Sequence, residues 1–346
     1  MFFFCLILIF NNNQLIDISQ LRFGYKNLSN YINIEENNIS NNESNTILKE
    51  KFIQIPEVYK QIKENNLTHI ETIYSIYGNV GNALIHLNNL INICEKNLCK
   101  NIVLMGLSNL IKNPISYKKF NITIFPSSYK NKTKIDIKLS ASSLSNISYH
   151  INSKMRLSII RDEIFKNIPK YKAFPYDLYI NIRSGDIFLN SINRHYSQPP
   201  LCFYDKIIKE NNFNKVYILS NGHENPVVDI LLKKYRTIKY IHGSIEFDIS
   251  IIVNAYNFVM PTSTFPSTLI NLNYNLKNLY IYGHDLRYPP KINFTIHKMN
   301  PSAKYLKFVW NKWNKTKEQL YLLIHENCIN ISMIKYFHKY FNKLCN

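Results

Sequence analysis

The sequence predicts an α/β protein with doubly wound, parallel sheets, and two observations carry that prediction. The first is a series of short apolar runs without polar alternation, such as "NIVLMG" and "KVYILSN". Continuous apolar runs indicate strands that are buried on both faces, as in parallel sheets. The second is that amphipathic segments of helical period separate these runs. Strand–helix alternation of this kind favours a doubly wound architecture.

The predicted elements follow one another along the chain. Candidate strands lie at 101–106, 177–185, 215–221, 257–263 and 278–283. Candidate helices lie at 81–96, 151–167, 203–212, 225–235, 247–255 and 265–275. Two of these helices begin at Asn225-Pro226 and Phe265-Pro266. Proline is favoured in the first turn because the N–H that it lacks has no helical partner there.

The 346 residues are enough for two domains with a substantial core. A polar stretch before residue 170 separates a first α/β unit from a stronger βαβαβ run. The expected organisation is a signal peptide or short signal-anchor (1–22), an Asn-rich stem (23–68), an N-terminal α/β domain (69–170), a C-terminal α/β domain (171–300) and a helical tail that packs on the body (301–346).

The first ten residues, "MFFFCLILIF", are wholly apolar. As a helix they would span only about 15 Å, against about 30 Å for the hydrocarbon core of a bilayer. They resemble the apolar region of a secretory signal or signal-anchor, and a buried N-terminal strand is the alternative. A secretory route predicts the lumen of the endoplasmic reticulum or Golgi, with anchoring through residues 1–10 if the signal is retained. Disulfides could form there among the six cysteines.

The formal net charge of +19 raises the question of a nucleic-acid partner. The lysines are spread along the whole chain, without a block of five or six like charges or a continuous basic stripe on a helix. We therefore expect no nucleic-acid partner, whereas a basic surface remains compatible with a phosphate-bearing ligand. The sequence contains no Cys-x-x-Cys pair and no His-rich spacing, so we expect no metal site.

Three short patches could carry chemistry, and the first is "YGNVGNALIHLNNLINI". Gly78 and Gly81 flank a turn, and Asn82 opens an amphipathic helix. Glycines there let the backbone approach a ligand, and the free N–H groups of a helix start favour a phosphate. A strong preceding strand and a third glycine are missing, so the dinucleotide fingerprint is incomplete. A simple turn with a helix cap is the alternative.

The second patch is "LYINIRSGDIF", a buried strand that ends in an arginine, a turn and an acid. Open α/β sheets hold their ligands at the carboxyl ends of their strands. The guanidinium of Arg183 could hold two phosphate oxygens there. Asp186 could fix that guanidinium, order the loop or accept a proton. An ordinary hairpin turn at Ser184-Gly185-Asp186 is the alternative.

The third patch is "NAYNFVMPTSTFPSTLINLN", in which a strand ends at Thr262-Ser263-Thr264-Phe265. Small hydroxyls and backbone amides at the following helix start predict a second anion site, and a plain Ser/Thr cap is the alternative. Upstream, Asp248 lies where another helix begins. A carboxylate there could accept two hydrogen bonds from the N1–H and the exocyclic amine of guanine.

Taken in order, the three patches resemble a known superfamily. Gly-x-x-Gly-Asn before a helix, x-x-Arg-x-Gly-Asp after a strand, and Ser-Thr-Phe before a helix are similar to the motifs of the α1,2-, α1,6- and protein O-fucosyltransferases. The resemblance covers roughly residues 72 to 285. It implies a GT-B-like fold in which two Rossmann-like domains face a cleft, with residues 171–300 as the nucleotide-sugar-binding domain.

The resemblance also implies an enzyme and its substrates. The reaction would be an inverting, metal-independent transfer of fucose from GDP-fucose to a hydroxyl of a glycan or glycoprotein, without a cofactor. Arg183 matches the family's essential arginine, which contacts the β-phosphate of the donor. Ser263 and Thr264 match the residues that hold the same diphosphate, and Phe265 lies beside them. Asp248 falls near the acid on the guanine edge.

On the other side of the implied cleft, Gly78, Gly81 and Asn82 match the glycine-rich turn that faces the donor sugar. One position departs from the family pattern: Asn181 stands where the motif usually begins with histidine. An amide can donate and accept hydrogen bonds, but it cannot carry a proton. The segment 190–204 follows directly and predicts an acceptor-facing loop. His195 and Tyr196 in that loop could touch an acceptor hydroxyl.

Two other functions remain open on the residues alone. A degenerate relative could hold a GDP-sugar or a glycan without transferring it, which Asn181 motivates. A polyanion-binding protein could instead be driven by net charge. It would show a steep dependence of affinity on salt and no preference for guanine nucleotides.

Overall fold

Two β-sheets and the helices around them form the described part of this computed structural model. The structure describes residues 72–75, 79–95, 99–104, 107, 110–118, 121–129, 135, 137–139, 157–189, 194–283, 292–329 and 331–339. The expected signal segment (1–22) and stem (23–68) lie outside the described residues, and so does Gly78. The predicted α/β class, with two parallel-rich sheets, is confirmed.

The first sheet has five strands in the spatial order β3-β4-β2-β1-β5. They are β1 (Thr72–Ser75), β2 (Asn101–Leu104), β3 (Ile115–Tyr117), β4 (Ile122–Pro126) and β5 (Ile137–Leu139). All neighbours are parallel except β3, which runs antiparallel to β4. Its helices are α1 (Val80–Glu95) and α2 (Leu157–Ile164), and a 3₁₀ turn covers Ser127–Tyr129.

The second sheet has seven strands in the order β12-β11-β10-β9-β6-β7-β8. They are β6 (Leu178–Asn181), β7 (Val216–Leu219), β8 (Ile238–Ile241), β9 (Asn257–Met260), β10 (Asn278–Tyr282), β11 (Phe294–Met299) and β12 (Met333–His338). Only β12 is antiparallel to its neighbour. The remaining helices are α3 (Asp186–Leu189), α4 (Leu201–Glu210), α5 (Pro226–Lys234), α6 (Ile245–Ile252), α7 (Thr264–Ile270), α8 (Ala303–Phe308) and α9 (Lys317–His325), with a 3₁₀ turn at Arg194–Tyr196.

The inner strands of the second sheet, β6, β7, β9 and β10, are largely buried on both faces, as their continuous apolar runs predict. Successive residues of each strand point to opposite faces. Tyr179 and Phe258 therefore join the core on the side of α1, α6 and α7. Leu178, Ile180 and Val259 join a second core with α4, α5 and the C-terminal segment. All four residues of β9 are buried, which fits its central place in the sheet.

The order of the strands places a topological switch point between β6 and β9. From β6 the chain proceeds outward through β7 and β8, and it then returns to the other side of β6 to form β9, β10 and β11. Connections leave the carboxyl ends of β6 and β9 in opposite directions, which opens a crevice at that edge. Open α/β sheets bind their ligands in such a crevice.

The C-terminal segment is only partly helical, so the prediction for residues 301–346 needs correction. Helices α8 and α9 are present, but Met333–His338 forms the edge strand β12 against β11. The segment "MIKYFH" is rich in β-branched and aromatic residues, which fit a pleated sheet edge. The segment does pack on the body: Trp313 is buried, and its indole N–H donates to the Ile187 carbonyl at 3.2 Å.

Within the described ranges, two disulfides link cysteines whose pairing the sequence left open. Cys94 at the end of α1 pairs with Cys99, and Cys202 in α4 pairs with Cys328 after α9. The second bond connects residues 126 apart and so ties the C-terminal segment to the second sheet. Separately, no helix among the described residues is long and apolar enough to cross a membrane.

Removal of the two disulfides should destabilise the protein unequally. A cross-link restricts the unfolded chain more when it closes a longer loop, and chain entropy gives about 5 kcal/mol for a loop of 126 residues but about 2 kcal/mol for one of 5. Urea denaturation without reductant should therefore show a larger loss for Cys202→Ala/Cys328→Ala than for the matched control Cys94→Ala/Cys99→Ala. Equal losses would contradict this expectation.

Candidate functional site

A cavity of about 450 Å³ lies at the switch point. The carboxyl ends of four adjacent strands, β9, β6, β7 and β8, each contribute to its wall, and the start of α1 forms the facing wall. A volume of this size is typical of pockets for small ligands. The lining residues are Asn79, Val80, Gly81, Asn82, Asn181, Ile182, Arg183, Asp186, Tyr196, Asn221, Gly243, Ile245, Asp248, Thr262, Ser263, Thr264 and Phe265.

Arg183 reaches the cavity two residues beyond the end of β6. Its side chain is 28% exposed, and one Nη2–H donates to Asp186 Oδ1 at 2.5 Å. The guanidinium carries five N–H groups in a fixed plane. Its other N–H groups make no hydrogen bond to any residue that the structure describes. Asp186 therefore fixes the direction of the guanidinium and leaves donors for a ligand.

The turn after Arg183 requires glycine. Gly185 has a φ of +66°, in the left-handed region that side chains with a Cβ rarely adopt. A Cβ at this position would lie 2.6 Å from Asn221 Nδ2 of the neighbouring loop. The tight turn predicted at Ser184-Gly185-Asp186 is present, but it leads into α3 and the cavity rather than into a hairpin.

Hydroxyl groups line the cavity at the carboxyl end of β9. Ser263 occupies the cap position of α7, but its side chain makes no capping hydrogen bond. The Oγ1 atom of Thr262 is buried and has no hydrogen-bond partner among the described residues. The first turn of α7 is held in place, since Thr268 Oγ1–H donates to the Thr264 carbonyl at 2.8 Å. Hydroxyls that the protein leaves unused are suited to donate to a ligand.

The two walls of the cavity meet through direct backbone contact at Gly81. A Cβ at Gly81 would lie 2.5 Å from Phe265 Cα and 2.7 Å from Phe265 N. No side chain fits between these backbones, so glycine is required for the N-terminus of α1 to approach α7. The Thr268 hydroxyl also lies 3.5 Å from the Gly81 carbonyl oxygen.

Asp248, in the first turn of α6, is half-buried beside Gly243 and Ile245. Burial raises the pKa of its carboxyl to about 6, and the nearby His242 opposes that shift. Loss of hydration disfavours the charged form of the carboxyl, which is why the pKa rises. Carboxyls perturbed in this way inside a cleft are frequent at functional sites.

The structure brings most of the predicted site residues together. Gly81, Asn82, Asn181, Arg183, Asp186, Tyr196, Asp248, Ser263, Thr264 and Phe265 line the one cavity. Their roles in binding stay predictions. Asn181 also donates from Nδ2 to the Leu219 carbonyl at 3.3 Å, which ties the ends of β6 and β7 together. His195 is exposed and lies outside the cavity lining, although Tyr196 next to it lies inside.

The cavity also includes residues that sequence reasoning missed. Asn221 follows β7 and Gly243 follows β8. The same rule that selected Arg183, a polar residue after an apolar strand, could have selected Asn221. Strand β1 was missed too, because its sequence, TIYS, has only two apolar residues between polar ones. No sequence pattern pointed to Ile245, because its place in the cavity wall depends on which face of α6 meets the cavity.

Within the described ranges, no group of three or more His, Cys, Asp or Glu side chains is placed to hold a metal ion. The charged side chains that line the cavity are Arg183, Asp186 and Asp248. Arginine and hydroxyl donors can bind an anion directly.

No family model matches the chain, and neither does any characterised protein sequence. Solved structures with some likeness include fucosyltransferase NodZ from Bradyrhizobium, with 11% identity, 67% of this chain and 96% of that chain covered, and a TM-score of 0.38. The NodZ α-1,6-fucosyltransferase soaked with GDP-fucose has 10% identity, coverage of 67% and 95%, and a TM-score of 0.37. E. coli heptosyltransferase WaaC with ADP has 8% identity, with 64% of this chain and 91% of that chain covered, and a TM-score of 0.36. The fold class rests on the sheets described above, not on these likenesses.

Substitution of Gly81 should destabilise the contact between the two walls. Alanine favours a helix over glycine by about 1 kcal/mol, but its Cβ would overlap the Phe265 backbone, and overpacking of this kind costs about 1–3 kcal/mol. We expect Gly81→Ala to lower the free energy of unfolding in urea. The comparison is Gly243→Ala, whose Cβ would have side-chain atoms of Phe247 rather than backbone atoms nearest to it and should therefore cost less. A loss as large in Gly243→Ala would argue against the backbone contact.

Replacement of the Asp248 carboxyl should stabilise the protein in a pH-dependent way. Its folded-state pKa of about 6 lies above the ordinary value of 3.8, so ionisation destabilises the folded state as the pH rises between those values. At about 1.4 kcal/mol per pKa unit, Asp248→Asn should add about 2–3 kcal/mol at pH 8 and almost nothing at pH 4. Thermal unfolding at both pH values measures this, with Asp162→Asn, whose side chain is 93% exposed, as the control. A gain of equal size at both pH values would refute it.

Proposed function

We propose that this protein is an inverting, metal-independent glycosyltransferase that moves fucose from GDP-fucose to a hydroxyl of a glycan or glycoprotein. One observation carries the proposal. Side chains from three patches, separated in sequence by about a hundred and then about eighty residues, line one cavity at the switch point of the second sheet. An ordinary hairpin at Arg183 or a plain cap at Ser263 would not require that convergence.

The chemistry follows from how charge moves during transfer. As the bond between the sugar and the diphosphate breaks, negative charge grows on the β-phosphate oxygen. The Arg183 guanidinium, held by Asp186, and the hydroxyls of Ser263 and Thr264 are proposed to bind that phosphate. Donors that are already oriented stabilise the transition state more than the ground state, and each contributes about 3–4 kcal/mol. The leaving group is thereby stabilised by the chain's own residues.

The base of the nucleotide is proposed to lie against α6. The ionised carboxylate of Asp248 can accept two hydrogen bonds from a guanine edge, and Ile245 offers an apolar surface beside it. Uracil lacks the paired N–H and amine donors of guanine. This subsite would therefore prefer GDP to UDP. Phe265 lies beside the diphosphate groups, and Gly81 and Asn82 face the donor sugar from the other wall.

The acceptor is proposed to enter near Tyr196, because this residue lines the cavity next to the 3₁₀ turn. Asp186 is proposed to orient Arg183 through the 2.5 Å contact. The Cys94–Cys99 and Cys202–Cys328 disulfides support a proposed location in the lumen of the secretory pathway, since disulfides persist in oxidising compartments.

A panel of nucleoside diphosphates and their sugars tests the proposal by thermal shift and by turnover. GDP and GDP-fucose should raise the melting temperature, whereas UDP should not. Arg183→Ala should lower the turnover of GDP-fucose by about 100- to 1000-fold with the fold retained. Arg236→Ala, which removes an exposed arginine at the end of α5, is the matched control and should behave like the wild type.

Three outcomes would contradict the proposal in different ways. Full turnover in Arg183→Ala would refute the site. Stabilisation by GDP without transfer to any acceptor would indicate a binding protein instead of an enzyme. Equal, strongly salt-dependent stabilisation by every polyanion would indicate binding through net charge.

A further inference from the structure

The loop that carries Arg183 is held by a second loop, between β7 and α5, that no motif identified. Asn225 Nδ2–H donates to the Arg183 carbonyl at 3.0 Å. The Ser184 amide donates to Asn221 Oδ1 at 3.2 Å, and the Gly185 amide donates to Glu224 Oε2 at 2.9 Å. Backbone groups of three consecutive residues, Arg183, Ser184 and Gly185, are therefore bonded by side chains of the β7–α5 loop.

The buried Ser184 hydroxyl connects the same two loops in a fixed direction. It donates to Glu224 Oε2 at 2.9 Å and accepts from the Asn225 backbone N–H at 2.9 Å. Because the backbone N–H can only donate and the carboxylate can only accept, the serine has one available orientation. The hydrogen bonds thus form a closed network between Ser184, Glu224 and Asn225.

The Glu224 carboxylate is itself well stabilised in this position. Its pKa lies below the ordinary value, chiefly because its own backbone N–H and the Ser184 hydroxyl donate to it. Gly222 leaves room for the carboxylate, since a Cβ there would contact Glu224 Oε2. Glu224 is exposed and lies outside both hydrophobic cores.

Asn225 has two separable roles. Its Oδ1 accepts from the Val227 N–H at 3.1 Å and so caps α5. Its Nδ2 belongs to the contact with Arg183. An aspartate at this position would keep the cap, which either side chain provides equally well. It would also replace the donor to Arg183 with an oxygen that repels the carbonyl.

We propose that Glu224 and Asn225 are positioning residues, which act on the ligand only through Arg183 by holding its loop in the direction of the cavity. This inference rests on the proposed function, since it assigns these residues to the same anion site. Neither residue lines the cavity. A change at Asn225 should therefore alter anion binding while Arg183 is present and have no effect once Arg183 is removed.

A double-mutant cycle on the full chain tests this with pyrophosphate as the probe, by calorimetry. Asn225→Asp should weaken pyrophosphate binding by about 10- to 100-fold, because a displaced charged group loses much of its effect. Arg183→Ala/Asn225→Asp should bind no more weakly than Arg183→Ala alone, since residues that act through one another are not additive. Glu224→Ala should weaken binding as Asn225→Asp does, and Glu224→Gln, which keeps an acceptor oxygen, should restore part of it.

The controls separate positioning from folding. Circular dichroism should show that Asn225→Asp, which places a carboxylate at a buried position, remains folded, and Asp162→Asn, whose side chain in α2 is 93% exposed, should leave pyrophosphate binding unchanged. An unchanged dissociation constant in Asn225→Asp, or additive losses in the double variant, would overturn the positioning role alone. A wild-type protein that binds neither pyrophosphate nor GDP would overturn the proposed function and this inference with it.

Discussion

The close approach of two backbones at Gly81 is the constraint on which the cavity depends. The N-terminus of α1, from the five-stranded sheet, lies against Thr264 and Phe265 of the seven-stranded sheet with no side chain between them. Glycine is the one residue type that permits this approach. The continuous core that includes Leu84, Leu87 and Leu269 extends from the contact and holds both helices in place. The cavity is the space that remains where the two walls diverge.

The balance of charge at the cavity differs from that of the whole chain. The protein carries a formal charge of +19, but the charged residues that line the cavity are one arginine and two carboxyls. One carboxyl orients the arginine, and burial raises the pKa of the other to about 6. The binding of an anion would thus depend on one oriented guanidinium and unused hydroxyls, not on a general excess of positive charge. Surface lysines, which water and salt screen, could only attract ligands from a distance.

The order of the seven strands explains why distant patches meet. Strands β9 and β6 are neighbours because the chain reverses its direction of winding between them, and their carboxyl ends carry Ser263 and Arg183. Strand β7 lies next to β6, so its loop can hold the arginine loop through Glu224 and Asn225. The same sheet therefore provides the arginine loop, which is proposed to bind an anion, and the loop that supports it. A substitution in either loop is therefore expected to change the position of Arg183 in the cavity.

The sequence by itself determined the elements and the residue types at their ends. Continuous apolar runs placed β2, β6, β7, β9 and β10 to within a few residues, because burial on both faces excludes polar alternation. Polar residues after those runs identified Arg183 and Ser263, because the chain emerges there into solvent or a ligand site. Only the tertiary structure decided the rest: that Glu224 bonds the arginine loop, that Asp248 is half-buried, and that Met333–His338 forms a strand. These features depend on contacts between residues far apart in the chain, for which local pattern and propensity carry no information.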